Sequence, residues 1–186
     1  MRLGDKKRGE EKLRSGDNWL TRDAWAAQWQ NFERSAWRLE TLPVYKVGPE
    51  EGELERFLAT GEAEPPTHWY EELREHAAAG RTVGRVHTLT SPLSDYLRFE
   101  FTAYPGSVDA GEDVRILDYS RTPNPGLPDQ DFWLFDDEVV VLMHYAEDGT
   151  QLGRERLVDL DPEPYVRYKE LAIQHSVPFL EYVAKG

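Results

Sequence analysis

The chain has 186 residues, with 35 acidic against 22 basic side chains, a formal charge of −13 and no cysteine. Without thiols there can be no disulfide, zinc–thiolate centre, iron–sulfur cluster or cysteine nucleophile, and the negative charge disfavours direct binding to a phosphate backbone. No window approaches the roughly 20 apolar residues of a membrane helix and no apolar leader opens the sequence, so a cytoplasmic location is expected.

Residues 1–18 are polar, mixed in charge and nearly free of large apolar groups. They read as a disordered or fraying tail, leaving 19–186 as a single α/β domain. Thr21 or Asp23 can cap a helix carrying Trp25, Trp29, Phe32 and Ala36 on one face, at i, i+4, i+7 and i+11. Residues 37–42 look extended up to Pro43, and Gly48-Pro49 reads as a break. A short helix over 50–60 should turn Leu54, Phe57 and Leu58 inward and end at Gly61. Pro65-Pro66 introduces another helix, with Trp69, Leu73, His76 and Ala77 on one face and Gly80 closing it.

The segment TVGRVHTLT, 82–90, alternates Val83, Arg85, His87 and Leu89 against Thr82, Gly84, Val86 and Thr88, which is a strand pattern. Ser91-Pro92-Leu93-Ser94-Asp95 is a strong start signal for a helix through Tyr96, Leu97, Phe99, Glu100 and Tyr104. LRFEF also fits a strand, but the start signal favours helix. A turn at 110–113 leads to a strand at 114–117, and three prolines make 122–129 an irregular loop.

The densest apolar run is DQDFWLFDDEVVVLMHY, 129–145. It divides into a strand at 132–135, a turn at Asp136, Asp137 and Glu138, and a second strand at 139–145. Ala146-Glu147-Asp148-Gly149 is a hairpin turn in which Gly149 supplies positive φ, and 151–158 returns as a third strand. Alternation places Trp133 and Phe135 opposite Phe132 and Leu134, with Trp133 mostly buried. Pro162 and Pro164 open a last helix that Pro178 should interrupt. The expected fold class is α/β: a mixed sheet with a parallel strand–helix–strand unit and a C-terminal antiparallel meander, helices on its faces.

The chemistry is harder to read. The sequence holds no GxSxG, Walker loop, GxGxxG or HExxH pattern, and its five histidines form no ligand pair. No catalytic residue, metal ligand or cofactor is therefore assigned. Asp129, Asp131, Asp136 and Asp137 could offer oxygen ligands to a divalent ion, but they fit solvated turn positions better. Arg98 and Arg115 could pair with Asp131, Asp136 or Asp137, or grip an anionic ligand. The candidates for ligand or partner binding are Arg38, Tyr96, Arg98, Glu100, Arg115, Asp131, Trp133, Asp136 and Asp137.

The segments Trp37-Arg38-Leu39-Glu40, Pro92-Leu93-Ser94-Asp95-Tyr96-Leu97-Arg98-Phe99-Glu100, Ala110-Gly111-Glu112-Asp113-Val114-Arg115 and Asp131-Phe132-Trp133-Leu134-Phe135-Asp136-Asp137 resemble an actinobacterial family of unknown function. Its members are encoded near helix-turn-helix regulators. The resemblance implies a non-enzymatic regulatory or ligand-sensing domain that acts with such a regulator or binds a small ligand. A carboxylate-based enzyme, possibly with a divalent metal, and a toxin–antitoxin component are the alternatives. The element order also resembles one half of a phospholipase D-like domain. That family's catalytic His-x-Lys is absent here: His87-Thr88-Leu89 and His144-Tyr145-Ala146 lack the lysine, so phosphodiester chemistry is not expected.

Overall fold

A computed structural model describes residues 18–46 and 48–185. The expectation of a disordered tail thus lies outside the described residues, except at Asn18. In chain order the elements are α1 (Arg22–Asn31), β1 (Ser35–Glu40), α2 (Gly48–Thr60), α3 (Thr67–Ala78), β2 (Thr82–Leu89), α4 (Asp95–Asp109) and β3 (Glu112–Asp118). They continue with β4 (Phe132–Phe135), β5 (Val139–Tyr145), β6 (Gln151–Arg156), α5 (Glu163–His175), β7 (Val177–Pro178) and α6 (Phe179–Ala184).

Local chemistry explains most boundaries. The Thr21 side chain accepts the Ala24 N–H at 3.2 Å and starts α1. Ser94 does the same for α4, accepting from Leu97 at 3.0 Å, so the ambiguous LRFEF segment is helical. Gly149 has φ of 87°, and a side chain there would come within 2.4 Å of the Val44 carbonyl oxygen. Both the turn and the close approach therefore require glycine. Asp136 and Asp137 also take positive φ, 56° and 61°, as in the primed turns that join twisted strands.

Three expectations are corrected. Gly48-Pro49 begins α2 rather than breaking the chain, since proline tolerates a first helical turn. Ala36 lies on β1, not on α1, because the helix ends at Asn31. Leu58 is half exposed, whereas Phe57 packs on Phe99 with ring centres 5.8 Å apart.

The seven strands form one mixed sheet in the order β6-β5-β4-β1-β2-β3-β7. Strands β1, β2 and β3 are parallel, while β4, β5 and β6 form an antiparallel meander that joins the sheet through β4 and β1. Asn18 and Trp19 lie along the outer edge of β6, where the Asn18 carbonyl accepts the Arg156 N–H at 2.9 Å. Pro178 interrupts the last helix as expected, and Val177-Pro178 pairs with β3.

Side-chain alternation separates the two faces. Trp37, Leu39, Val86, Phe132, Leu134 and Val140 pack under α5. On the other face, Ala36, Val83, Trp133, Phe135, Val141 and Met143 meet α1 and α3. Leu89, Val114 and Ile116 meet α4 and α6 on that same face. Because helices cover both faces, Trp133 and Phe132 are both buried despite pointing in opposite directions.

Candidate functional site

The helices on the second face do not meet over the middle of the sheet. Between α1 and α3 on one side and α4 on the other lies a cleft of about 820 Å³. Its walls are aromatic: Trp25, Trp29 and Trp69 from the helices, Trp133 from β4, and Tyr45, Tyr96, Tyr104 and Tyr145 around them. Trp29 packs edge-on to Trp133 at 4.9 Å and to Trp69 at 5.6 Å, which holds the indoles in fixed orientations.

The floor is charged. Arg38 and Glu40 on β1 share a face with Arg85 and His87 on β2, since residues two apart on a strand point the same way. Arg38 lies 3.0 Å from Glu40, Arg85 lies 3.1 Å from the same carboxylate, and Arg85 reaches Glu112 on β3 at 2.7 Å. Burial alone would raise the Glu40 carboxyl, but Arg38 and Arg85 overcome it and hold the group at about 2. Burial would likewise lower the two guanidiniums, yet Glu40, Tyr145 and Asp131 around Arg38, and Glu112 and Glu40 beside Arg85, keep both well above the ordinary arginine value.

Asp131 is not a solvated turn residue. It is buried and accepts from the Thr41 N–H at 2.8 Å, the Thr41 hydroxyl at 2.7 Å and the Tyr45 hydroxyl at 2.6 Å. Arg38 lies 3.6 Å from it. His87 is fully buried between the Tyr104 hydroxyl at 2.8 Å and the Leu42 carbonyl at 3.1 Å. A carbonyl only accepts, so Nε2 carries the proton and Nδ1 accepts from Tyr104. Burial pushes the His87 imidazole down, which favours this neutral form. Burial also pushes the Tyr45 and Tyr104 phenols up.

Of the residues singled out from sequence, Arg38, Tyr96, Glu100 and Trp133 line the cleft, with Asp131 anchoring Arg38 beneath it. The other four lie elsewhere. Arg98 sits on the exposed side of α4, paired with Asp95 one turn away. Arg115 donates to Ser176 Oγ at 3.0 Å and to the Ser176 carbonyl at 3.1 Å, closing the C-terminal end of α5. Asp136 accepts the N–H groups of Glu33 and Ser35, each at 2.9 Å, together with that of Arg34, and so fixes the start of β1. Asp137 pairs with Lys169 of α5. Neither Arg98 nor Arg115 reaches Asp131, Asp136 or Asp137 as expected, because each finds a nearer partner on its own side of the sheet.

Sequence reasoning missed Glu40, Arg85, Glu112, Tyr45 and Tyr104 as site residues. One signal was available: Arg38 with Glu40, and Arg85 with His87, are charged or polar pairs at period two inside otherwise apolar strands. Charges on a strand buried on both faces need partners from neighbouring strands. Among the described residues no three His, Asp or Glu side chains converge as a metal set, and no helix is long and apolar enough to cross a membrane.

No curated protein matches the chain. A family described as a domain of unknown function, DUF6879, matches residues 23–184. That span takes in every strand of the sheet and every wall of the cleft, and the chain belongs to this family.

Proposed function

We propose that this protein is a small-molecule receptor domain whose ligand-bound state acts on a regulatory protein partner. The observation that supports this reading is the cleft: about 820 Å³, walled by indoles and phenols over a floor of paired charges. Ligand sites typically measure about 300–1,000 Å³ and combine apolar walls with a few fixed polar groups. Here the polar groups are pre-organised, since Arg38, Glu40, Arg85 and Glu112 stand on adjacent strands and hold one another, and Asp131 is fixed by Thr41 and Tyr45.

A receptor is favoured over a carboxylate enzyme by the same geometry. A general base works best with a pKa near the working pH, whereas Glu40 is held at about 2. Both ring nitrogens of His87 are engaged. The regulatory partner is proposed on the resemblance to actinobacterial domains encoded beside helix-turn-helix regulators. A net charge of −13 suits a basic protein surface. A likeness to non-catalytic phospholipase D-like half-domains, which serve as sensing modules, belongs to the same proposal.

Thermal denaturation in the presence of a metabolite panel tests the reading. A ligand at 100 times its Kd stabilises by about 2.7 kcal/mol, and each kcal/mol moves a domain of this size by roughly 2–4 °C. Ala26 is exposed on α1 at the cleft wall, so Ala26→Trp should fill the opening and abolish the shift without unfolding the protein. A panel that leaves the melting temperature of both proteins unmoved counts against a receptor.

A further inference from the structure

Four arginines line the cleft, and among the described residues three of them are held. Arg38 and Arg85 are bound to carboxylates. Arg81 donates to the Phe32 carbonyl at 3.2 Å. The fourth, Arg154 on β6, makes no side-chain hydrogen bond and meets no carboxylate within 4.0 Å among those residues. Its Nε is buried without a partner. Its guanidinium lies over the Trp25 ring, 4.8 Å from the centre.

Stacking on the indole engages a face of the guanidinium, while its N–H groups keep no hydrogen-bond partner among the described residues; guanidinium N–H pairs match a carboxylate in bidentate fashion. Arg154 does not stand apart from the polar floor. Burial lowers its pKa, with Arg38 adding to the effect and the Tyr145 phenol opposing it. Arg38 itself donates to that phenol at 3.0 Å and also has a buried Nε without a partner. A cation held this way carries an uncompensated desolvation cost, which an anionic ligand group would relieve.

Resting on the receptor reading, we propose that Arg154 is the anion anchor of the cleft and that the ligand is an aromatic monocarboxylate. The aromatic part follows from the walls: Trp25, which carries the anchor, packs against Trp29 and Trp133 with ring centres 6.0 and 6.2 Å away, so the anchor borders an aromatic cluster that suits a planar ring. The single charge follows from the count. Arg38 and Arg85 already meet Glu40, Glu112 and Asp131, so Arg154 is the one cation of this buried set without a carboxylate contact, and one carboxylate pairs with it. Asp131 lies across β5 from it, about 10 Å away at two strand spacings. A phosphate dianion would add a second negative charge to a floor where three carboxylates, Glu40, Glu112 and Asp131, already face the two guanidiniums of Arg38 and Arg85.

Isothermal titration of the full chain with four probes on one ring tests the assignment: 2-naphthoate, neutral 2-naphthamide, 2-naphthylmethylammonium and 2-naphthyl phosphate. Naphthoate should bind at least tenfold more tightly than the amide. Arg154→Gln should bring naphthoate down to the level of the amide while leaving the amide unchanged, and Arg154→Lys should recover part of the difference. Should either variant fold poorly, the order of the four probes on the native chain still decides. An amide or ammonium probe that equals naphthoate, or an Arg154→Gln variant that keeps the naphthoate affinity, overturns the anchor. A phosphate probe that binds more tightly than naphthoate overturns the single charge. If the amide binds as well as the acid and Ala26→Trp abolishes both, the receptor reading stands and the carboxylate assignment fails. If no probe binds, the carboxylate assignment fails, and the melting-temperature panel decides the receptor reading separately.

Discussion

Arg38 and Arg85 are register partners on adjacent parallel strands, so two guanidiniums stand side by side on the floor of the cleft. Like charges directly opposite one another destabilise a sheet. What permits this pair is Glu40, two residues along β1, which reaches Arg38 at 3.0 Å and Arg85 at 3.1 Å. The arrangement makes Glu40 the residue on which the floor depends. Glu40→Gln keeps the shape and removes the charge, leaving two buried cations facing each other. Breaking a buried pair by removing one partner costs about 3–5 kcal/mol. Urea denaturation at neutral pH should show a loss of that order, and a loss below about 1 kcal/mol would show that the guanidiniums are satisfied without Glu40.

The same residue sets the acid stability. The Glu40 carboxyl is depressed in the folded state, from 4.5 to about 2. An acid with a depressed folded pKa contributes stability that is present above its unfolded value and lost as pH falls through the folded one. At about 1.36 kcal/mol per unit, that is on the order of 3 kcal/mol lost between about pH 4.5 and 2. His87 adds an earlier step. Its folded pKa is lowered, so below about 6.5 the unfolded chain takes up a proton that the buried ring resists, and stability begins to fall there. Denaturation midpoints across pH 2–7.5 should show both declines. Glu40→Gln should flatten the lower one, while the upper one persists and reaches to lower pH, because Glu40 no longer favours the charged His87 ring.

Trp133 is the cleft wall that also belongs to the core. It stacks on Phe135 at 5.8 Å, meets Trp29 and Trp25 edge-on, and lies beneath the Arg38 guanidinium at 5.6 Å. Trp133→Ala should cost about 3–5 kcal/mol as a core truncation, which is a large part of the roughly 5–15 kcal/mol that holds a typical domain together. Chemical denaturation measures it. A variant of unchanged stability that no longer binds ligand would make Trp133 a recognition residue alone.

Asp136 has a structural task that its place in a turn conceals. Its carboxylate accepts three successive backbone N–H groups at the start of β1 while its own φ is 56°. Asp136→Ala would remove the acceptor and place a residue less tolerant of positive φ. One charged hydrogen bond is worth roughly 1.5–3 kcal/mol, and because Asp136 is only partly buried water replaces part of the three that are lost, so a loss of about 2–4 kcal/mol is expected. Asp136→Asn tolerates the backbone and keeps one acceptor oxygen, so it should lose about half as much. Equal losses in the two variants would mean that charge alone decides.

Arg98 supplies the contrast. Its side chain is 58% exposed and pairs only locally, with Asp95. Exposed helical pairs are worth about 0.3–0.5 kcal/mol, so Arg98→Ala should leave the melting temperature within about 2 °C of the native value and should not change probe binding. A lost ligand response would place Arg98 in the recognition surface after all.

What the sequence alone determined was local. Thr21 and Ser94 announce their helices because a hydroxyl caps a donor three residues away. Gly149 announces its turn through φ, and the alternation of Phe132 to Phe135 separates the two faces of β4. The α/β class, the parallel unit and the meander follow from such signals. The cleft and its floor do not. Asp131 looked like a turn acid because the groups that bury it, Thr41 and Tyr45, are 90 and 86 residues away in the chain. Arg115 looked available because the Ser176 that holds it is 61 residues away. Pairing β4 against β1 places the meander beside the parallel strands and sets Asp131 against Arg38. A buried charge is defined by the partner that compensates it, and only the tertiary structure brings those partners together.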